Sequence, residues 1–244
     1  CRQECNLTMR KGWAQYSALG YSGTNSGGKL IVEESEFDHN RDGFDTNSQN
    51  NDDAPSPQDG SCPDGATSPI TSSVSCWVFM RNYVHDNNNP NTPGAGTAAS
   101  SPVGTGISIS GGRFDTVMEN RIVHNGAWGL LLVPFPDTDT PPPIAHCDGG
   151  TETGSLGFGC LYDDWGNQVF DNRFSENGFF GNPSNGDLGV AQLPYPTSNC
   201  FAQNVDIGGP VTRWPSTLSR KCDQAWNPDT GELVVIFAEA LCAS

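Results

Sequence analysis

Two aspartates lie three residues apart in the segment Asn-Arg-Asp-Gly-Phe-Asp-Thr-Asn at 40–47, a spacing that could support chemistry. With the phenylalanine between them pointing into a core, period-two alternation turns Asp45 outward, and Asp42 lies in the turn before the strand. Two such carboxylates can share a calcium ion, which takes oxygen ligands, or can act as a general acid and base. We therefore take Asp42 and Asp45 as candidate catalytic and metal-binding residues, and Asp52 and Asp53 as further metal ligands. The alternative is that the first two are ordinary turn residues.

A second group of ionisable residues recurs just before an asparagine in a repeated frame. Its members are His39, Asp86, His124 and Glu176. If the repeats stack, these side chains alternate between imidazole and carboxylate, an arrangement that could tune a histidine or share a metal ion. The alternative is cross-strand pairing on a solvated face. His39 and His124 would be two repeats apart, about 10 Å, which is too far to share one zinc ion.

The frame itself is Asn, one residue, a large apolar residue, two residues and a second Asn. It occurs at 82–87, 120–125 and 172–177, and again at 35–40 with serine in the first position. In parallel stacked coils the same position repeats about every 4.8 Å, so each amide can donate to and accept from its neighbours. The recurring asparagines therefore predict polar ladders at an inward-facing corner of a solenoid.

Each copy of the frame is followed, directly or after an insertion, by glycine and an apolar strand. The predicted glycine positions are Gly43, Gly106, Gly129 and Gly189. Two residues beyond each glycine, alternation predicts an outward position, and these positions are Asp45, Ser108, Leu131 and Ala191. Without insertions the repeat is about 20–25 residues long, too small to bury an apolar face without stacking. The abundance of Gly, Pro, Asn and Asp predicts little helix.

This pattern resembles the right-handed parallel β-helix repeats of pectate-lyase-like proteins, over about residues 25–207. The resemblance implies an all-β, right-handed parallel β-helix. We divide the chain into an N-terminal segment or partial coil at 1–24, the repeats at 25–207 and a C-terminal cap at 208–244. The N-terminal segment contains no amphipathic cap, which predicts additional upstream coils. An alternative is a lipoprotein whose mature chain begins with an acylated Cys1.

Two enzyme families share parts of the motif at 42–45. Asp-Gly-Phe-Asp is similar to the calcium motif Asp-Asp-Gly-Phe-Asp of one pectate lyase family, with Arg41 in place of the first aspartate. It is also similar to the Asn-Thr-Asp-Gly-Phe-Asp opening of polygalacturonases. Where the lyases have a catalytic lysine in a later strand, this chain has Ser108, and the nearest basic residues are Arg81 and Arg113. The further Asp-Asp, Gly-His-Gly and Arg-x-Lys segments of the hydrolases are absent from the sequence.

The charge and the cysteines limit the class of protein. A formal net charge of −16 with only 12 Lys and Arg excludes a nucleic-acid partner and disfavours anionic lipid. No apolar run is long enough to span a membrane. The nine cysteines indicate an oxidising, extracellular or cell-surface location. We expect Cys62 with Cys76 and Cys147 with Cys160 to staple two long loops, and the odd count leaves one thiol free, modified or bonded outside this chain.

We therefore expect a secreted or cell-surface protein that binds, and in one version cleaves, a uronic-acid polysaccharide along a loop-walled groove, with calcium as a cofactor. If it is an enzyme, it would be a polysaccharide lyase or a glycoside hydrolase. Trp128 would stack on a sugar ring, and Ser108 and Arg113 would contact the substrate. The competing class is a noncatalytic surface or assembly module that joins another chain, for example through the unpaired cysteine. A basic or paired-carboxylate catalyst in the outward strand positions would indicate the enzyme, and the sequence does not show one.

Overall fold

The computed structural model describes residues 7–24, 30–47, 77–94, 96–137, 151–152, 160–192, 197–219 and 229–242. Three parallel sheets of six strands dominate this part of the chain. Sheet A consists of β1 (Leu7–Arg10), β4 (Leu30–Glu33), β7 (Trp77–Met80), β10 (Thr116–Met118), β16 (Gln168–Phe170) and β19 (Cys200–Ala202). Sheet B consists of β2 (Trp13–Gln15), β5 (Glu36–Asp38), β8 (Tyr83–His85), β11 (Arg121–Val123), β17 (Arg173–Ser175) and β20 (Val205–Asp206).

Sheet C completes each coil of the chain. It consists of β3 (Ser22–Thr24), β6 (Asp42–Asn47), β9 (Thr105–Ser110), β12 (Trp128–Val133), β18 (Gly186–Val190) and β21 (Arg213–Trp214). Every coil therefore contributes one strand to each sheet, and six coils stack in register, as in a parallel β-helix solenoid. The coils extend from residue 7 to residue 214, beyond the predicted repeat region at both ends.

Smaller elements lie outside the coils. The strands β13 (Phe135–Asp137), β14 (Thr151–Glu152) and β15 (Cys160–Tyr162) form an antiparallel sheet, and Thr97–Ser100 is a single 3-10 turn. The helix α1 (Thr230–Cys242) begins after Asp229, whose Oδ1 accepts hydrogen bonds from the amides of Gly231 and Glu232. Among the described residues, no helix has the length and apolar character needed to cross a membrane.

The predicted asparagine ladders are confirmed at two corners. Between sheets A and B the ladder contains Ser35, Asn82, Asn120, Asn172 and Asn204, and between sheets B and C it contains Asn40, Asn87, Asn125 and Asn177. Each side-chain oxygen accepts the backbone N–H of the equivalent residue one coil earlier, at 2.9–3.2 Å. The ladders thus satisfy polar groups that would otherwise be buried without partners. A third, unpredicted ladder of Asp115, Asn167 and Asn199 lies between sheets C and A.

The chain turns at these corners through left-handed backbone conformations. Among the described residues, 13 residues other than glycine have a positive φ, between 50° and 58°, and each immediately precedes a residue at one of these corners. They are Lys11, Glu34, Arg81, Glu119, Asp171, Gln203, Tyr16, His39, Asp86, His124, Glu176, Phe114 and Ser198. Such conformations are costly for residues with a Cβ. The ladder hydrogen bonds that follow hold the corner in place, so the asparagine frame also specifies where the chain bends.

The interior of the coils contains apolar side chains from all three sheets. Phe44 is fully buried and lies at the centre of an aromatic cluster, with ring centroids 4.7 Å from Tyr21 and 4.1 Å from Phe79. In sheet C, Phe44 is in register with Ile107 and, beyond it, Leu130. The inward direction predicted for Phe44 is therefore confirmed.

The predicted frame of the fifth coil is wrong by two residues. In sheet C, Leu130 pairs with Leu188 and Leu131 pairs with Gly189, so Asp187 follows Gly129 in the glycine column and Gly189 occupies the outward position assigned to Ala191. Asp187 ends the asparagine ladder by accepting a hydrogen bond from Asn177 Nδ2 at 3.1 Å. Since Leu188 and Val190 both face the core, apolar alternation alone does not distinguish the two frames.

The helix α1 covers the outer side of sheet C. Ile236 and Ala240 pack in one apolar cluster with Trp128, Leu131 and Ala191. A Cβ at Gly189 would lie 2.7 Å from the ring of Trp128, so the smallest residue makes room for the indole beneath the helix. In the region predicted as a cap, β21 continues the sixth coil and α1 lies on the flank of the solenoid.

The cysteines are only partly described. Cys200 is buried at the start of β19, and Cys242, in the last turn of α1, is an exposed free thiol. The predicted loop staples, Cys62 with Cys76 and Cys147 with Cys160, lie outside the described side chains. They remain predictions.

Candidate functional site

Asp42, Asp45 and Ser108 come together on the adjacent strands β6 and β9 of sheet C. Asp45 and Ser108 are directly paired, and Asp42 is the first residue of β6 instead of a turn residue. The Ser108 hydroxyl lies 2.7 Å from Asp42 Oδ2 and 2.5 Å from Asp45 Oδ1, and Ser110 Oγ lies 2.7 Å from the same Asp45 oxygen. Asp42 is fully buried and Asp45 is partly buried. The spacing of the two aspartates therefore does produce a carboxyl pair.

The hydrogen bonds of this pair require an additional proton. The Ser108 hydroxyl has one hydrogen and can donate to only one carboxylate, so the other contact needs a proton on the aspartic acid. Burial, followed by the nearby charge of Asp45, raises the pKa of Asp42 well above its usual range. Burial also raises the pKa of Asp45, against the Ser108 and Ser110 hydroxyls that lower it. The consistent arrangement is a neutral Asp42 that donates to Ser108, which in turn donates to an ionised Asp45.

This assignment predicts how stability depends on pH. Since the pKa of Asp42 is raised on folding, its contribution is fully present below the unfolded pKa of about 3.9 and is lost as the pH rises toward the folded value. In that window each pH unit costs about 1.4 kcal/mol. We expect Asp42→Asn to flatten the fall in melting temperature above about pH 4. Asp171→Asn, a change at an exposed position, should not flatten this fall. Identical pH profiles for the two variants would contradict a protonated Asp42.

The oxygen donors of the pair also bear on the expected calcium. Carboxylate and hydroxyl oxygens are ligands that calcium accepts, and Asp42 Oδ1 is buried with no hydrogen-bond partner among the described residues. The donors fit calcium only when Asp42 is ionised, because a neutral acid offers little charge to a cation. Asp52 and Asp53, the other predicted ligands, lie outside the described residues.

The structure does not bring the other predicted substrate contacts into this cluster. Trp128 is 0% exposed beneath α1, and its indole N–H donates to the Ser184 carbonyl at 2.9 Å. A buried ring has no free face for a sugar, so in this arrangement Trp128 is a packing residue. Arg113 lies in the connection from sheet C to sheet A and forms a 2.6 Å ion pair with Asp163.

Arg81, the other basic residue near these coils, is also engaged in ion pairs. Its guanidinium contacts Glu33, and a second contact at 3.6 Å reaches Glu119. Glu33 is bonded by Arg10 as well, and these arginines outweigh its burial, so the pKa of Glu33 is lowered. Arg81 therefore serves the corner between sheets A and B and does not approach the carboxyl pair as a free base.

A different surface was missed from the sequence, the outer side of sheet B. In the first coil Trp13 is 65% exposed and Tyr16 is 59% exposed, and both rings are held in place. The indole N–H of Trp13 donates to Asp38 Oδ1 at 2.6 Å, and the Tyr16 ring lies 5.4 Å from that of His39. The signal was the alternation of aromatic and ionisable residues along these strands. It could be recognised only once the register of neighbouring coils was known.

Imidazoles and carboxylates continue this surface across the next coils. His39 Nδ1 lies 2.6 Å from Asp38, and His85 lies 3.0 Å from Glu36 through Nε2 and 2.8 Å from Asp86 through Nδ1. His124 Nδ1 lies 2.5 Å from Asp86. Burial raises the pKa of Asp86, but the hydrogen bonds from His85 and His124 outweigh it, so the net shift is downward. We call the outward groups Trp13, Tyr16, Glu36, Asp38, His39, Tyr83, His85, Asp86 and His124 the sheet B face.

The predicted alternation of His39, Asp86, His124 and Glu176 is found only in part. Asp86 does bond His124 in the next coil, whereas His39 bonds its own neighbour Asp38. The His124 ring stacks on Phe179 at 4.5 Å. These four residues all have left-handed backbone conformations at the corner between sheets B and C. Their placement thus follows from the turn. The sheet B face therefore combines residues at this corner with cross-strand ion pairs.

Comparison with protein-family models, with curated proteins and with solved structures finds no match to this chain. The fold therefore defines the class by itself, a solenoid of stacked parallel sheets consistent with a parallel β-helix. A fold of this kind supports many functions, so the function of this chain depends on the surfaces described above.

Proposed function

We propose that this protein binds an extracellular polysaccharide on the sheet B face. The observation that carries the proposal is the pair of exposed, hydrogen-bonded or stacked aromatic rings, Trp13 and Tyr16, next to carboxylates and imidazoles. Aromatic rings stack on the apolar faces of sugars, and the polar groups beside them can bond sugar hydroxyls. The first four strands of sheet B, which contain or adjoin the residues of this face, extend over about 14 Å, the length of a short oligosaccharide.

The charge of the surface determines which glycans would need a cation to bind. Glu36, Asp38 and Asp86 lie on the face, and the chain has a formal net charge of −16. Like charges repel, so a uronic-acid polymer bound beside these carboxylates would need a bridging cation such as calcium, whereas a neutral glycan would not. The exposed Arg121 and Arg173 lie farther along the same row of strands. The proposal therefore includes calcium-dependent binding of uronic-acid polymers and calcium-independent binding of neutral ones.

Binding is favoured over cleavage by the position of the carboxyl pair. Asp42 is fully buried, so the Asp42–Asp45 pair does not present both groups to a bound glycan in this arrangement. A general acid must come within hydrogen-bond reach of the bond that it protonates. We therefore propose a binding protein whose right-handed, pectate-lyase-like coils present a glycan surface. Catalysis by Asp42 and Asp45 is the alternative, and a sensitive activity assay would have to show it.

The experiment is a titration of the purified chain against neutral and uronic-acid polysaccharides, with calcium or with chelator. Trp13→Ala should weaken binding about fivefold, because loss of one stacking ring costs on the order of 1 kcal/mol. The matched control is Val205→Ala, which lies in the same row of sheet B in the sixth coil and is 51% exposed. Equal affinities for the two variants, or no binding to any polymer, would refute the proposal. Ultraviolet-absorbing products and reducing ends are followed in parallel, and either product would establish cleavage.

A noncatalytic assembly module is the second candidate, and the first coil favours it. In the part of the chain that the structure describes, the strands β1, β2 and β3 are the edges of their sheets, and Leu7 in β1 is 56% exposed. Unpaired strand edges are templates for another chain. In this case Trp13→Ala would change the mass measured by light scattering and leave glycan binding unaffected.

A further inference from the structure

Three metal-ligating side chains converge on the sheet B face without belonging to the carboxyl pair. Glu36 and Asp38 are alternate residues of β5, so they share one face, and His85 of β8 is in register with Asp38. One ligand atom from each of these three residues lies within 4.8 Å of the others. His85 is 49 positions from Glu36 in the sequence, so only the stacking of coils brings them together.

The surrounding hydrogen bonds orient these groups as metal ligands. His85 directs Nε2 toward Glu36, while its Nδ1 bonds Asp86 Oδ2 at 2.8 Å. A carboxylate behind a ligating histidine fixes the tautomer and ring orientation in metal sites. Asp38 is held in the same way, since its two oxygens are contacted by Trp13 Nε1 and His39 Nδ1, each at 2.6 Å. Each carboxylate oxygen retains a lone pair for a metal.

The charge balance around the three ligands differs from that of the other carboxylates. Glu33 is paired with Arg10 and Arg81, and Asp163 is paired with Arg113. In contrast, the ion pairs that Glu36, Asp38 and Asp86 make with described residues involve only histidines. A divalent cation would offset this concentration of negative charge, and a neutral imidazole would then coordinate it.

We propose that Glu36, Asp38 and His85 bind a first-row divalent metal ion, with Zn²⁺ as the test ion. One nitrogen and two oxygen donors suit zinc or manganese better than calcium, which binds oxygen alone. Solvent can supply the remaining ligand, because Glu36 and His85 are both partly exposed. This site is separate from the calcium expected at Asp42 and Asp45, and it does not depend on the glycan proposal.

The test is calorimetric titration of the purified chain with Zn²⁺, supported by the visible spectrum of the Co²⁺ form. We expect one metal ion per chain, and at least tenfold weaker binding in His85→Ala and in Glu36→Gln. The matched control is Glu176→Gln, which makes the same change as Glu36→Gln at an exposed glutamate in the fifth coil, outside the sheet B face, and it should keep the site.

Three outcomes would overturn the proposal. They are no Zn²⁺ binding up to millimolar concentration, unchanged binding in both ligand variants, and equal losses in Glu36→Gln and Glu176→Gln. Circular dichroism and melting of the metal-free variants separate ligand loss from misfolding. Glu36 is partly exposed and glutamine is nearly isosteric with it, so Glu36→Gln tests the site even if His85→Ala fails to fold.

Discussion

Replacing Asn120 with alanine is expected to destabilise the folded chain by about 3–5 kcal/mol. The buried Asn120 amide accepts the Asn82 N–H at 2.9 Å and donates to the Phe79 carbonyl at 3.0 Å and to Asn172 Oδ1 at 2.9 Å. Alanine removes all three bonds and leaves their partners in the middle of the ladder. Each buried polar group left without a partner costs about 1–3 kcal/mol, so the effect exceeds that of an ordinary substitution.

Urea unfolding followed by circular dichroism measures this loss. The control is Asn182→Ala, which changes an exposed asparagine and should shift the free energy of unfolding by less than about 0.5 kcal/mol. Asn120→Asp is an informative second variant, because it keeps the shape and the acceptor but loses the two donors. If Asn120→Ala and Asn182→Ala unfold at the same urea concentration, the ladders do not hold the coils together.

Replacing Gly106 with alanine is expected to destabilise the chain by about 2–3 kcal/mol through steric overlap. A Cβ at this position would lie 2.6 Å from the Gly129 carbonyl oxygen and 2.8 Å from Asn125 Nδ2. The first atom belongs to the backbone of the next coil and the second to the ladder, so neither can move without separating β9 from β12. Gly43 is confined in the same way, with a Cβ 2.5 Å from the Gly106 carbonyl oxygen.

The matched control is Gly94→Ala, since a Cβ there meets no atom within 4 Å. This change should be neutral or slightly stabilising, because alanine reduces the entropy of the unfolded chain. Thermal unfolding of the two variants under one buffer condition makes the comparison. A melting temperature for Gly106→Ala equal to that of Gly94→Ala would show that the coils can separate locally at no cost.

The sequence by itself determined the solenoid and its corners. The frame Asn, apolar, Asn places amides at the same two positions of each turn, and stacked turns let such amides satisfy one another and the neighbouring backbone in a core. That physical requirement is local and repeats, so Asn82, Asn120 and Asn172 were sufficient to predict it. The direction of Phe44 followed from alternation in the same way. The handedness, the export, the stapled loops and the calcium remain predictions from the residues.

The tertiary structure decided which groups meet and which remain accessible. Leu188 and Val190 can both face the core, so only pairing with Leu130 fixed the frame that moves Gly189 to the outer side. Trp128, predicted to be accessible to a sugar, is buried because α1, distant in sequence, packs over it.

The candidate sites depended on tertiary structure in the same way. Burial of Asp42 and its shared contact with Ser108 determine the protonation of the carboxyl pair, although the spacing of Asp42 and Asp45 had suggested the pair. The metal-ligating group of Glu36, Asp38 and His85 exists only because two coils stack with one register. Loops of different length separate successive coils, so that register is fixed by contacts between coils and cannot be counted along the chain.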